Sequence, residues 1–181
     1  MSFREFFVKY MMPKVDWKRV LRYLVYLFLA LIAQTMLLAR TRIAGICPYV
    51  LPAVAVAVGM FEGPVWGVLY SLLLGFFADM AFVENTVLFT VLFPVLAFGT
   101  GFVSQFFINR RFFAFMGAAL GGLLLTGFVQ LVHTSAIDGF SMQMIPTVLL
   151  QTIWSLPLAA LAYFSPARWS QFAPVSKSEK S

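Results

Sequence analysis

One carboxylate, one imidazole and two carboxamides stand inside otherwise apolar stretches of this chain: Asp79, His133, Gln34 and Gln130. In hydrocarbon an ionisable side chain costs about 3 kcal/mol or more unless it meets protein or water. Such residues therefore mark proton relays, solute paths or structural hydrogen bonds. Asp79 follows Pro64 by fifteen residues, about 22 Å along a helix axis, which places it near a hydrocarbon boundary. Gln34, Gln130 and His133 reach a similar depth. We expect these four to form a small polar cluster joining three helices. Capping of its own helix end by Asp79 in the headgroup zone and a transport or proton role are the alternatives.

Other chemistry has little to work with. His133 is the single histidine and Cys47 the single cysteine, so a His-rich metal site is excluded, His133 beside Asp138 makes a poor one, and no internal disulfide forms. Neither a G-x-S-x-G nucleophile elbow nor a Walker A loop occurs. No cofactor, metal or catalytic residue is expected, and the chain reads as a non-enzyme. Few ionisable residues fall in the apolar stretches, which argues against an ion pump. Sparse internal polar groups argue against a channel.

The elements that must carry these residues follow from composition. Of 181 residues, 61% are hydrophobic and 11% charged, against about 45–50% and about 25% in soluble domains. Lipid solvates such an exterior where water does not. Six stretches approach the length of a spanning helix: Leu21 to Ala39, Ala44 to Phe61, Pro64 to Phe82, Thr86 to Ile108, Phe112 to His133 and Ile145 to Phe164. The first has too long an apolar run for a cleaved signal peptide. The expectation is an all-α membrane protein, a six-helix bundle in which consecutive helices are antiparallel neighbours. The second stretch carries Pro48 and Pro52 and is re-entrant in the alternative reading.

Basic residues orient the bundle. With six spans and the N-terminus inside, Arg4, Lys9, Lys14, Lys18, Arg19, Arg22, Arg110, Arg111, Arg168, Lys177 and Lys180 share the inner side, and Arg40 and Arg42 lie outside. A re-entrant second stretch splits the basic residues almost evenly. The positive-inside rule therefore selects six spans with both termini inside. The net charge of +6 then reflects orientation and anionic lipid rather than nucleic acid. Residues 1–20 read as an inner-surface amphipathic segment, residues 21–164 as the transmembrane domain and residues 165–181 as a polar inner tail.

Small residues give the most specific pattern. Gly63, Gly67, Ser71, Gly75 and Asp79 follow one another at intervals of four along the third span. In lipid, close backbone approach drives helix association, and small side chains permit it. Gly117 and Gly121 form a second such pair on the fifth span. Either face can pack within the bundle or receive a partner's helix. Gly99 and Gly101 flank Thr100 and suit close packing or a local bend.

In that order, LFLALIAQTMLL (Leu27 to Leu38), PYVLPAVAVAVGMFEGPVWGVLYSLLLGFFADM (Pro48 to Met80), Asn85, the glycine-containing fourth span and NRR (Asn109 to Arg111) resemble the MreD family of rod shape-determining membrane proteins. The resemblance covers about residues 20–165. PYVLP lacks the acidic residue expected in many relatives. The resemblance implies a multi-pass protein of the bacterial cytoplasmic membrane, acting as a scaffold in peptidoglycan synthesis during cell elongation. Its implied partner is an MreC-like single-span protein, linking it to MreB, RodA and a class B penicillin-binding protein. It also implies a fold similar to the substrate-binding subunits of energy-coupling-factor vitamin importers, which supplies the alternative function. Those subunits dock through alanines four apart on the first helix. Here Ala30 and Ala33 are out of that register, and Ala53 and Ala57 show it on the second span.

Overall fold

A computed structural model of the chain describes residues 17–38, 40, 46–82, 87–106, 112–139 and 141–163. Among the described residues there are six α-helices and no β-strand. Helix α1 (Trp17–Ile32) continues in π-helical form through Ala33–Leu38, followed by α2 (Leu51–Glu62), α3 (Pro64–Phe82), α4 (Leu88–Phe106), α5 (Phe112–Asp138) and α6 (Met144–Ala162). Three helices are long and apolar enough to cross a membrane, over Pro64–Ala81, Phe112–Ile137 and Met144–Ala162. Shorter apolar helices cover Val20–Met36, Leu51–Glu62 and Leu88–Ser104. Large apolar side chains such as Leu69, Leu73, Phe98, Phe113, Phe128 and Leu161 point outward, an exposed apolar surface of the kind that marks a protein or membrane contact.

The organising element is α2. Its 12 residues are apolar on every side except for Glu62 at the end, and Leu51 through Phe61 are all buried. A helix without a polar face belongs in an interior. Helices α3, α4 and α5 enclose it, and α6 and α1 complete the wall. Aromatic rings close both ends. Tyr49, Phe89 and Phe93 stack at the α2 N-terminus, and Phe61, Phe115 and Tyr163 at its C-terminus.

This helix is shorter than the sequence pattern predicts. The second apolar stretch becomes helical only at Leu51, and Cys47 to Val50 are unwound. Proline explains the boundary. Pro48 has no N–H to give and bars its predecessor from helical geometry, whereas Pro52 sits in the first turn, where no N–H is needed. The Val50 carbonyl accepts the first helical bonds, from Ala53 (3.0 Å) and Val54 (3.2 Å). At the other end Gly63 takes φ 95°, a conformation that favours glycine, and Pro64 starts α3 at once.

Other boundaries shift modestly. Helix α1 begins at Trp17, inside the expected surface segment, and α5 runs to Asp138, beyond His133. Residues 1–16 and the tail from 164 onward lie outside the described residues, as do Arg110 and Arg111. The expectation that consecutive helices are neighbours fails at two steps. Helices α1 and α2 barely touch, and the same holds for α4 and α5, which pack on α2 from different sides.

Candidate functional site

The small-residue stripe of α3 is spent inside the bundle. A Cβ on Gly67 would lie 2.6 Å from the Gly59 Cα, and one on Gly75 would overlap the backbone of Phe89 and Thr90. Ser71, between them, is fully buried. Gly63 serves the α2–α3 turn instead of a packing face. Of the two uses left open for this stripe, the structure shows packing within the bundle: α2 and α4 already occupy it, and no second helix can reach the same atoms. Two further glycines complete the contact. A Cβ on Gly59 would overlap the Ala97 backbone, and one on Gly101 would stand 2.8 Å from the Gly59 carbonyl oxygen. Gly59 had a sequence signal, since it precedes Gly63 by four residues.

The glycines of α5 behave in the opposite way. A Cβ on Gly117 or Gly121 would meet nothing within 4 Å, nor would one on Gly99 of α4. Between α4 and α5 runs a groove of about 480 Å³, floored by Met60 and walled by Gly99, Thr100 and Val103 on one side and Ala114, Gly117 and Ala118 on the other. The residue pair left open by the sequence is thus divided: Gly101 packs inward and Gly99 faces the groove.

The expected polar cluster of Gln34, Asp79, Gln130 and His133 is corrected as well, because Gln34 and Asp79 bond to separate backbone sites. The π-helical turns carry Gln34, whose amide Nε2 donates to the Pro48 carbonyl at 2.9 Å while its Oε1 accepts from the Val50 N–H at 2.9 Å. Ser155 Oγ accepts from the Tyr49 N–H at 2.8 Å. Together they satisfy the backbone that Pro48 and Pro52 release from helical bonding, as an unwound segment in an apolar interior requires. Asp79 caps α4 from outside. Its carboxylate accepts from the Phe89 N–H at 2.9 Å, the Thr90 N–H at 2.7 Å and the Thr90 hydroxyl at 2.6 Å. The N-terminal amides and helix dipole both favour a negative charge there. Asp79 is buried by this arrangement.

Gln130 and His133 come together in a different place. They line a cleft of about 510 Å³ between α5 and α6, with Thr134, Gln143, Thr147 and Gln151, against an apolar wall that includes Phe89 and Met144. No sequence motif marks this cleft, because the polar residues of α6 are spaced along a helix rather than gathered together. At the opposite end of the bundle the Tyr23 hydroxyl donates to the Glu62 carboxylate. Among the described residues no group of three His, Cys, Asp or Glu side chains is placed to hold a metal ion. Comparison of the chain with protein-family models, curated proteins and solved structures finds no match.

Proposed function

We propose that this chain is a six-span membrane scaffold of the MreD type, with both termini inside, that seats the transmembrane helix of an MreC-like single-span protein in the α4–α5 groove. The observation that carries the reading is the open small-residue groove itself. Gly99, Gly117 and Ala118 line it, and no described element fills it. In lipid a helix is held by close backbone approach, and this groove offers that approach to an incoming helix. The buried α2 supplies the floor of the groove through Met60.

On this reading the protein works without catalysis. It fixes the position of its partner, and through that partner links MreB, RodA and a class B penicillin-binding protein during peptidoglycan synthesis in the bacterial cytoplasmic membrane. The six-span topology assigns Arg110 and Arg111, which lie outside the described residues, to the inner side. The alternative, a vitamin-binding importer subunit, loses support because Ala53 and Ala57, the pair with docking spacing, are fully buried.

The test is copurification of a tagged full chain with an MreC-like partner in mild detergent. The double variant Gly117→Leu with Gly121→Leu is expected to lose the partner while remaining monodisperse. Undiminished partner recovery with that variant would contradict the assignment.

A further inference from the structure

The cleft at the His133 end has features that a scaffold does not need. Its volume of about 510 Å³ falls within the range of about 300–1,000 Å³ that encloses a small molecule. Three carboxamides line it, from Gln130, Gln143 and Gln151, with the imidazole of His133 and the hydroxyl of Thr134. Gln130 and Gln151 also line a second void of about 10 Å³ deeper in the bundle, whose wall includes Ser155 and Tyr49. These two glutamines therefore form the floor of the cleft, facing the opening on one side and the clamp on the unwound segment on the other. No hydrogen bond to another described residue engages either carboxamide.

We propose that this cleft binds an uncharged solute carrying an amide, with Gln130 and Gln151 as the residues that select it. A carboxamide presents one acceptor and a pair of donors, which matches the C=O and N–H of another amide edge to edge. Among the described residues no Lys, Arg, Asp or Glu lines the cleft. A net charge would surrender hydration there without meeting a counter-charge, so an ionic solute is disfavoured. Phe89, Leu131, Met144 and Val148 supply an apolar wall for the rest of the molecule. The proposal goes beyond the scaffold role and does not depend on it, since the cleft and the α4–α5 groove share no lining residue.

The experiment is isothermal titration of the full chain in lipid nanodiscs with two neutral amides, uridine and N-acetylglucosamine. Their charged counterparts, uridine 5′-monophosphate and glucosamine, serve as controls. We expect saturable binding of at least one neutral probe at one site per chain, and at least tenfold weaker binding of its charged counterpart. Gln130→Leu and Gln151→Leu should each weaken the neutral probe by about tenfold, the loss of one matched polar contact. Gln143→Leu, at the exposed rim, covers the case in which a floor variant fails to fold, and should weaken binding by a smaller factor. Absence of binding by both neutral probes, equal binding of the charged counterparts, or unchanged affinity in all folded variants would overturn the proposal.

Discussion

Two faces of the bundle carry glycine at the same four-residue spacing. On α3, Gly67 and Gly75 lie so close to α2 and α4 that an added methyl group would overlap backbone atoms. On α5, Gly117 and Gly121 have open space where a methyl group would go. Composition does not separate the two, but connectivity does. Helix α3 follows α2 after the single residue Gly63, so the chain itself presses that face against the core. Helix α5 meets α2 by its other side, at Gly122 against Val56, and leaves Gly117 and Gly121 turned away. A spaced-glycine motif therefore signals close approach, while the partner that makes the approach is decided by the path of the chain.

Substitutions test that contrast. The largest effect is expected from Gly59→Leu or Gly75→Leu, where the new side chain meets backbone that cannot move aside. Either should cost at least about 3 kcal/mol, read as loss of monodisperse protein in detergent. Recovery of normal yield with Gly59→Leu would break the claim that this face is closed.

Next come the polar residues that satisfy backbone. Asp79→Ala strips two N–H groups and a hydroxyl at the start of α4 of their acceptor, and should cost about 2 kcal/mol. Asp79→Asn, which keeps one acceptor oxygen, should fall between the two, as measured by thermal unfolding in nanodiscs. Gln34→Leu leaves the Pro48 carbonyl and the Val50 N–H without their partner. We expect about 1–2 kcal/mol, with faster hydrogen exchange at Val50. The smallest stability effect belongs to the open face, where Gly117→Ala or Gly121→Ala should stay within about 0.5 kcal/mol.

The apolar helices were legible because their signal is local: a run of hydrophobic residues between polar or proline-bearing breaks. Gly63 and Pro64 marked the α2–α3 boundary for the same reason. The shortness of α2 was harder to read. The apolar run from Ala44 continues through Pro48, and only backbone geometry separates Cys47 to Val50 from the helix that follows. The roles of Gln34 and Asp79 were legible only as a need for partners. Those partners are main-chain groups of Pro48, Val50, Phe89 and Thr90, and a main-chain group has no letter in the sequence. Ser155 and Gln151 were missed for the same reason, since a lone serine or glutamine on an apolar helix gains meaning only from what stands across from it.

The central claim, that the α5 glycine face is the surface left for another helix, is tested most directly by crosslinking. Gly117→Cys and, separately, Leu72→Cys would each be placed in a Cys47→Ala background, with a single-span partner carrying one cysteine in its membrane helix. Leu72 lies exposed on α3 and serves as the lipid-facing reference. The account predicts a disulfide-linked pair from Gly117→Cys and none from Leu72→Cys. Equal crosslinking from both positions, or crosslinking from Leu72→Cys alone, would contradict it.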